Sequence, residues 1–326
     1  RITRVVATPD VDRGAVTFTV TCRGTQPGDW VSVVSKVEGG ASAITARPNE
    51  PLVLPVANPQ LWSPDSPHLY DVTVGIHRGD PKAGTTVDEA GSYFAMRNVS
   101  AAKDDKGMMR LMLNNKPLFM IGPLDQGWWP DGLLTPPSDE AMRYDLEVLK
   151  KVGFNVLRKH IKVEPARLYY HCDKLGLMVW QDMPSGFIEK TQFVRPDWKQ
   201  DAEFSPQDKA QFRTELKAMI DHLRPFPCIV AWVPFNESWG VQGVHHRPEH
   251  QETVRRFVAG TRALDPTRPV VDNSGWGHVD TDVVDVHDYD QDPTSLRARW
   301  TGIEGRGWER GSVVLDDEVG GFDLAR

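Results

Sequence analysis

Short runs in which apolar and polar residues alternate fill the first part of the chain. AVTFTVTC, WVSVVSKV and LYDVTVGI keep this period of two, and Gly, Pro and Asn-Pro turn signals separate such runs. Alternation with frequent turns is typical of antiparallel strands that bury one face. The pattern predicts an immunoglobulin-like antiparallel β-sandwich over residues 1–97. In LWSPDSPHLY, Trp62, Leu69 and Tyr70 are its predicted core anchors.

The pattern changes after the charged turn AAKDDKG, where apolar runs begin to alternate with amphipathic helical segments. The first run is LFMIGPLDQG, and the first helix is SDEAMRYDLEVLKKVG, with Ser138 as its N-cap and Gly153 as its stop. A later helix is predicted from about Pro206 to Leu223. Six more apolar runs follow the first: FNVLRKH, LMVWQDMP, CIVAWVPFNES, PVVDNSG, DVVDVHDY and SVVLDDEVGG.

Seven strands in series with interposed helices indicate an α/β fold with a parallel sheet. That number favours a closed (β/α)₈ TIM barrel over an open doubly wound sheet. We therefore expect residues 98–326 to form a TIM barrel that is truncated after strand seven, with strand eight missing.

The composition of the chain limits the classes of binding partner that we expect for it. The chain has 326 residues, 40% of them hydrophobic, which is enough for two domains with a sizeable core. The net charge of −7 comes without a basic patch, so nucleic acid is not an expected partner. No apolar run is long enough for a membrane span. Cys22, Cys172 and Cys228 are far apart without a CxxC pattern, so they are predicted to fill the core.

The sequence carries no signal for a cofactor or a metal. No glycine-rich phosphate loop stands at a strand-to-helix turn, which argues against nucleotide cofactors. His245, His246 and His250 lie at the start of a predicted helix without matched carboxylates, so we expect no metal there. The chain opens at Arg1 with strand-like sequence, so we expect that any targeting segment has been lost. The compartment cannot be read, with secreted or periplasmic only a weak preference, and a homo-oligomer remains open.

Hydrogen-bonding or ionisable side chains follow the carboxyl ends of all seven predicted strands. In chain order they are Asp125; Arg158 and His160; Asp182; Asn236 and Glu237; Asn273 and Trp276; His287 and Tyr289; and Asp316, Asp317 and Glu318. Because loops at these ends converge on the mouth of a barrel, we expect the side chains to surround one site. Such a concentration of polar groups suits a polyhydroxylated ligand.

Two of these carboxylates suit hydrolysis of a glycosidic bond. The reaction needs one carboxylic acid to protonate the departing oxygen and a second, ionised group to attack or stabilise the anomeric carbon. Glu237 after strand four and Glu318 after strand seven fit these roles. We expect a dry, apolar wall to raise the pKa of the acid, and cations such as Arg158 to keep the nucleophile charged.

Five stretches resemble, in order, the signatures of glycoside hydrolase family 2, the group of the β-galactosidases, β-glucuronidases and β-mannosidases. They are NPQLWSPDSPHLY, NNKPLFMIG, GFNVLRKHIKVEPARLYYHCDKLGLMVWQDMP, WVPFNESWG and HDY. The resemblance extends over nearly the whole chain. The resemblance implies that Glu237 is the general acid/base and that Asn236 binds the sugar 2-hydroxyl. It also implies that Glu318, in EVGG, is the nucleophile.

Matching to the same family implies further substrate-binding residues. They are Arg158, His160, Asp182, His287 and Tyr289, and Trp276 and Asp125 join them as candidates at neighbouring strand ends. The chain also departs from the family pattern. Val319 stands where an aromatic residue is usual, so Asp317 remains a rival nucleophile, and Asp290 stands in place of a proline. SLRARWTGIEGRGWERG matches none of the signatures.

The resemblance implies an immunoglobulin-like domain followed by a catalytic TIM barrel. The implied activity is retaining hydrolysis of terminal β-linked sugars, without an obligatory cofactor, on an oligosaccharide or glycoside. β-Galactosidase is the leading specificity, because the closest-looking stretches belong to chains usually described that way. A β-glucuronidase-type uronidase is the alternative. A non-catalytic carbohydrate-binding barrel is the alternative of another class.

Overall fold

The N-terminal part of the chain is a sandwich of two antiparallel sheets. The structure is a computed structural model that describes residues 1–37, 40–79, 84–185, 205–300 and 313–319. One sheet has the order β1-β2-β5 and the other the order β4-β3-β6-β7. The strands are β1 Ile2–Asp10, β2 Ala15–Cys22, β3 Trp30–Val37, β4 Gly40–Ala46, β5 Pro51–Pro55, β6 Tyr70–Arg78 and β7 Thr85–Phe94. The predicted antiparallel sandwich is confirmed.

Alternation along the strands accounts for the sandwich core. In β2, Val16, Phe18 and Val20 are fully buried, while the threonines between them face outward. Phe18 meets Phe94 edge to face at 5.5 Å, and Phe94 stacks on Tyr70 at 4.9 Å between ring centroids. The Phe18–Phe94 contact joins the two sheets, and the Phe94–Tyr70 contact joins neighbouring strands of one sheet.

The connection from the sandwich to the barrel differs from its prediction. An antiparallel sheet lies here, with β8 Val99–Lys103, β9 Met109–Leu113 and β10 Lys116–Pro117. The first parallel strand is only β11, Leu124–Asp125, so the expected buried run LFMIG is wrong. Phe119 is 77% exposed and Ile121 48%. The reason is an uncovered edge, since β11 pairs with the next parallel strand alone among the described strands.

The remaining described strands run parallel and in chain order. A four-stranded sheet has the order β11-β12-β13-β14, and β15-β16 and β17-β18 form two further pairs. A bridge from Trp232 to Val270 links the four-stranded sheet to the segment before β16. In the described ranges, the strands therefore follow the barrel pattern without closing one continuous sheet. Their bounds are β12 Val156–Lys159, β13 Met178–Asp182, β14 Ile229–Val233, β15 Phe235–Asn236, β16 Asn273–Ser274, β17 Val283–Asp288 and β18 Val313–Val319.

Helices lie between the parallel strands, as the sequence predicts. They are α1 Asp139–Lys151, α2 Ala166–Leu175, α3 Pro206–Leu223, α4 Pro248–Leu264 and α5 Pro293–Trp300. The Ser138 hydroxyl caps α1 by accepting from the backbone N–H of Ala141 at 3.1 Å. The sequence did not predict α5. None of the described helices combines the length and apolar character that a membrane crossing requires.

The sandwich and the barrel meet at a buried interface. Trp62 was predicted to anchor the sandwich core, but it is buried in the core of the barrel, and its indole Nε1 donates to the Asp173 carbonyl at 2.9 Å. The Tyr93 hydroxyl donates to Asp173 Oδ2 at 2.7 Å. Burial raises the pKa of Asp173 to about 7, although hydrogen bonds from Tyr93 and Cys228 oppose the shift. Arg97 donates to two main-chain carbonyls of the barrel.

The three cysteines are buried and free, so their predicted role as core residues is confirmed. Cys172 and Cys228 belong to the core of the barrel, and Cys22 to that of the sandwich.

Candidate active site

Glu237 stands on a turn that the next strand pair holds in place. Glu237 and Ser238 both have left-handed backbone conformations, with φ of 48° and 63°, which non-glycine residues adopt only where their surroundings enforce them. The N–H of Glu237 donates to the Ser274 carbonyl at 2.9 Å. The N–H of Ser238 donates to Asn273 Oδ1 at 2.8 Å. β16 thereby fixes the direction in which Glu237 leaves β15.

The carboxylate of Glu237 is held by two side chains from β17 and the loop after it. His287 Nδ1 lies 2.8 Å from Glu237 Oε1, and the Tyr289 hydroxyl donates to the same oxygen. His287 is buried, whereas Tyr289 is 58% exposed and lies at the surface of the site. Trp276 meets the His287 ring edge to face at 5.8 Å.

These contacts change the expectation for the charge of Glu237. Partial burial raises its pKa, but the hydrogen bonds from His287 and Tyr289 lower it by more, so the net pKa lies below its ordinary value. The prediction that an apolar wall raises the pKa of this group is therefore wrong for the described surroundings. Glu237 is a carboxylate near neutral pH unless a neighbour supplies a proton.

A second cluster centres on Arg158 at the end of β12. Its guanidinium makes a bidentate pair with Asp182, with Nε–Oδ1 at 3.1 Å and Nη2–Oδ2 at 2.8 Å. Nη2 also donates to Asn236 Oδ1 at 2.7 Å, and His160 Nδ1 lies 2.5 Å from Asp182 Oδ2. Arg158 and Asp182 are almost wholly buried, so they orient Asn236 as a rigid unit.

His287 joins the two clusters. Its Nε2 lies 3.1 Å from Arg158 Nη1 and 3.0 Å from Ser274 Oγ. The structure therefore brings eight of the predicted residues into one contact network: Arg158, His160, Asp182, Asn236, Glu237, Trp276, His287 and Tyr289.

Asp125 makes different contacts, with a group of residues that the sequence did not indicate. It accepts from Lys159 Nζ at 2.6 Å and from the N–H of Gly127 at 2.7 Å. Lys159 is fully buried and also donates to Glu164 at 2.8 Å. Lys162 donates to the Gly127 carbonyl at 2.8 Å. Asp125 therefore fastens the loop after β11, and its predicted contact with a sugar has no support from these bonds.

The position of Glu318 follows from the backbone pairing of β18. β18 pairs in parallel with β17, and its register shifts by one residue between Val286 and His287. As a result, Glu318 is the Cα partner of His287, and the shift passes over Asp317.

Behind His287 lies a buried group that sequence reasoning missed. Ser274 Oγ donates to Asp285 Oδ2. His278 lies between two fully buried carboxylates, with Nδ1 at 2.7 Å from Asp272 Oδ1 and Nε2 at 3.1 Å from Asp285 Oδ1. Burial lowers the pKa of His278, but its hydrogen bonds to both aspartates raise it by more, to about 10. The one available signal was the polar tetrapeptide DNSG at a strand end.

The site has no evident provision for a metal in the described ranges, where no three His, Cys, Asp or Glu side chains are grouped to hold one. Within the histidine-rich stretch HHRPEH, His250 is buried and its Nδ1 lies 2.5 Å from the Gln242 carbonyl. That contact gives this ring a structural partner.

Comparison with known proteins identifies the family. Residues 108–294 match the model described as glycosyl hydrolases family 2, TIM barrel domain, and residues 1–97 match the model described as glycosyl hydrolases family 2.

Curated relatives carry two enzyme names. The chain is 26% identical over 285 residues to a putative β-glucuronidase of Formosa agariphila, covering 83% of this chain and 24% of the relative. It is 28% identical over 233 residues to a β-galactosidase of Vibrio cholerae, covering 71% of this chain and 20% of that protein. The chain thus spans a quarter or less of the length of each of these relatives.

A solved structure supports the fold. The β-D-glucuronidase of Dictyoglomus thermophilum superposes with a TM-score of 0.74 at 17% identity, over 96% of this chain and 53% of that one. The family models match most of the chain in the order sandwich and then barrel. The chain belongs to glycosyl hydrolases family 2.

Proposed function

We propose that this chain carries the catalytic residues of a retaining exo-β-glycosidase, with Glu237 as general acid/base and Glu318 as nucleophile. The main support is the arrangement around His287. Its ring contacts the Glu237 carboxylate, and its Cα is level with that of Glu318 on the neighbouring strand. The Glu237 side chain and the Glu318 backbone therefore both lie beside His287. The register favours Glu318 over its rival Asp317, which is not the partner of His287.

The reaction proceeds in two displacements. In the first, the Glu318 carboxylate attacks the anomeric carbon while the Glu237 carboxyl gives its proton to the departing glycosidic oxygen, so that one C–O bond forms as another breaks. In the second, Glu237, now a carboxylate, takes a proton from a water that displaces Glu318 from the sugar. The configuration at the anomeric carbon is retained.

Asn236 and its partners hold the sugar in this scheme. Arg158 donates to Asn236 Oδ1 and so fixes the orientation of the amide. The N–H₂ group of Asn236 can then donate to a sugar hydroxyl. Asp182 and His160 keep Arg158 in place from behind. Tyr289 and Trp276, nearer the surface, would contact the sugar ring or its aglycone.

Two sugars remain candidates, β-D-galactose and β-D-glucuronic acid, and each corresponds to the name of a relative. A galactoside is our first choice. Arg158, the arginine that contacts Asn236 and His287, already pairs with the Asp182 carboxylate. A uronic acid would need a cation for its own carboxylate. The glucuronide is kept as the second candidate because of the F. agariphila relative.

A panel of 4-nitrophenyl β-glycosides tests the proposal. We expect turnover of the galactoside or the glucuronide by the intact protein, with retention at the anomeric carbon measured by proton NMR. Glu237→Gln and Glu318→Gln should each lower kcat/KM by about 10²-fold or more. Glu252→Gln, an exposed glutamate on α4 that pairs with Arg256, is the matched control and should retain full activity.

Three outcomes would contradict the proposal. Unchanged turnover in both site variants would mean that the glutamates are misassigned. Inversion of configuration would exclude the double displacement. Binding of a sugar without turnover of any glycoside would support a carbohydrate-binding barrel, which the enzyme names of the relatives do not favour.

A further inference from the structure

A chain of hydrogen bonds runs from Glu237 into the interior of the barrel. It passes through His287 and Ser274 to the Asp285 carboxylate. His278 then links residue 285 to Asp272, because its Nε2 contacts the Asp285 main-chain carbonyl and its Nδ1 contacts the Asp272 carboxylate. Ser274, Asp285 and Asp272 are fully buried. Buried polar groups are stabilising only when each has a partner. The donor and acceptor of each hydrogen bond in this row are therefore constrained.

The buried end of this row of hydrogen bonds, at Asp272 and His278, determines the charge of Asp285. Asp272 accepts three main-chain N–H groups, from Asn273 at 2.7 Å, Val279 at 2.5 Å and Asp280 at 2.8 Å, and is therefore a carboxylate. A protonated His278 can donate from Nδ1 to Asp272 Oδ1 and from Nε2 to the main-chain carbonyl of Asp285 at 2.8 Å, and its Nε2 lies 3.1 Å from Asp285 Oδ1. Its positive charge keeps Asp285 ionised as well, and an ionised carboxylate only accepts hydrogen bonds.

An ionised Asp285 decides the role of Ser274. A serine hydroxyl has one proton, and Ser274 donates it to Asp285 Oδ2. Towards His287 Nε2, at 3.0 Å, Ser274 can then only accept. Through this contact, Ser274 favours a proton on the ring nitrogen that faces it.

The opposite nitrogen of the same ring faces Glu237. If Nε2 is protonated, the 2.8 Å contact between Nδ1 and Glu237 Oε1 needs one further proton. This proton lies either on the Glu237 carboxyl or on His287 as an imidazolium. The Glu237–His287 pair holds the same number of protons in both forms. We propose that Asp272, His278, Asp285 and Ser274 form a positioning relay that keeps Nε2 of His287 protonated, so that the Glu237–His287 pair retains the proton that Glu237 delivers.

The relay reconciles the lowered pKa of Glu237 with its proposed acid role, and its last step rests on that proposed role. The hydrogen bonds from His287 and Tyr289 lower the pKa of Glu237, which does not suit an acid that acts alone, but a pair that shares a proton can still release one. During the first displacement this proton moves to the glycosidic oxygen as the C–O bond breaks. In the second displacement a water returns a proton to the pair.

Other charged and titratable groups also face His287 and Glu237. They are Arg158 from β12, Tyr289 after β17, His160 after β12 and, by its Cα position alone, Glu318 on β18. Arg158 is the competitor, because its Nη1 lies 3.1 Å from Nε2 and a guanidinium only donates. It would favour a bare Nε2. Arg158 donates to Asp182 from Nε and Nη2 and to Asn236 from Nη2, so its Nη1 and the accepting Ser274 oxygen compete to set the protonation of Nε2.

Glycine at position 275 is required for this arrangement. Gly275 has φ of +100°, and a Cβ atom there would lie 2.6 Å from His287 Nδ1. The N–H of Gly275 donates to Asp285 Oδ1 at 3.2 Å. The backbone thus passes close under the ring and contacts the relay at the same point.

Ser274→Ala tests the relay with little change in shape, since the carbonyl that holds the N–H of Glu237 remains. With its acceptor gone, His287 Nε2 should lose its proton and accept from Arg158. A phenyl glycoside of the preferred sugar depends on the general acid, and a 2,4-dinitrophenyl glycoside does not. We expect kcat/KM to fall about 10-fold or more for the first and to change by less than about 2-fold for the second.

The pH profile gives a second readout. The basic limb of kcat/KM for the phenyl glycoside should move to lower pH by about one unit in Ser274→Ala. Asp285→Asn should act in the same direction, because an amide can donate to Ser274 and free the serine proton for Nε2. Ser35→Ala removes a comparable buried hydrogen bond in the sandwich, to the Asp71 carbonyl. This control should change neither kcat/KM for the two glycosides nor the position of the basic limb.

Nitrogen NMR of the imidazole of His287, assigned by its loss in His287→Gln, tests the relay without any turnover. We expect a protonated Nε2 in the starting protein and an unprotonated Nε2 in Ser274→Ala. A bare Nε2 in the starting protein would overturn the relay, whatever the activity. Equal losses for both glycosides with an unmoved basic limb would reduce Ser274 to a structural role. If Glu237→Gln has no effect, the proposed function fails, and the NMR result still decides the relay.

Discussion

At the scale of single residues, the backbone direction and the hydrogen-bond partners of each polar side chain define the site. Glu237 is aimed by a turn with positive φ angles, and its charge is set by His287 and Tyr289. Arg158 is committed to Asp182 and Asn236. The same side chains in a flexible loop would lack both the direction and the shifted pKa.

Tyr289→Phe should shift the activity profile towards higher pH. The hydroxyl of Tyr289 donates to the charged form of Glu237 and so contributes to its lowered pKa. Removal of this bond raises the pKa of Glu237, and the basic limb of kcat/KM should rise by up to about one unit. The direction is opposite to that expected for Ser274→Ala. A downward or absent shift would mean that Tyr289 does not act on Glu237.

The sequence was sufficient to find the residues at strand ends but not their partners. Asn236 and Glu237 stand out because they follow the apolar run IVAWV. His278 and Asp285 do not, because they pair across seven residues of loop and strand that have no recognisable periodicity. The contact of Asp125 with buried Lys159 was also not predictable, since nothing in VLRK indicates which of two adjacent cations turns into the site.

At the scale of elements, strand register and helix capping determine which side chains meet. The one-residue shift between β17 and β18 brings Glu318 level with His287. Strand and helix periods in the sequence predicted most element positions. They could not predict that shift, because irregular pairing leaves no mark in an apolar run such as SVVL. They also missed the β8–β9–β10 sheet, whose short strands alternate over too few residues.

The α3 cap gives a stability prediction. Ser205 and Asp208 form a capping box, with Ser205 Oγ accepting from the N–H of Asp208 at 3.1 Å and Asp208 Oδ2 accepting from that of Ser205 at 2.8 Å. Ser205→Ala should lower the free energy of unfolding by about 1 kcal/mol, measured by urea denaturation. Thr214→Ala, in the middle of the same helix, is the control and should raise it by a few tenths. Equal losses in both variants would show that the cap is not responsible.

At the scale of the whole molecule, the sandwich and the barrel are joined by buried polar contacts as well as by packing. Trp62 and Tyr93 of the sandwich both reach Asp173 on α2. Gly176, at the end of α2, comes so close to the sandwich that a Cβ there would lie 2.5 Å from the Pro64 carbonyl. The sequence indicated Trp62 only as a core residue of the sandwich, because contacts over about a hundred residues leave no local pattern.

The Asp173 contact predicts a pH-dependent stability. Its pKa in the folded chain, about 7, lies above the ordinary value of 3.8. The stabilisation by the protonated form is therefore complete below about pH 4 and is lost as the pH rises to about 7. Asp173→Asn lacks this titration. Between pH 4.5 and 7.5, the free energy of unfolding should fall by about 3 kcal/mol more in the starting protein than in the variant.

Asp65→Asn, an exposed position in the sandwich, serves as the control for Asp173→Asn and should follow the starting protein at both pH values. Parallel curves for the starting protein and Asp173→Asn would show that the interface does not titrate through this carboxyl.

The distance between the carboxyl groups of Glu237 and Glu318 in an experimental structure is the most direct test of the proposed mechanism. A retaining double displacement predicts about 5 to 5.5 Å. A separation of roughly 6.5 to 9.5 Å would leave room for a water and indicate inversion. That result, or Asp317 in the place assigned to Glu318, would contradict the account.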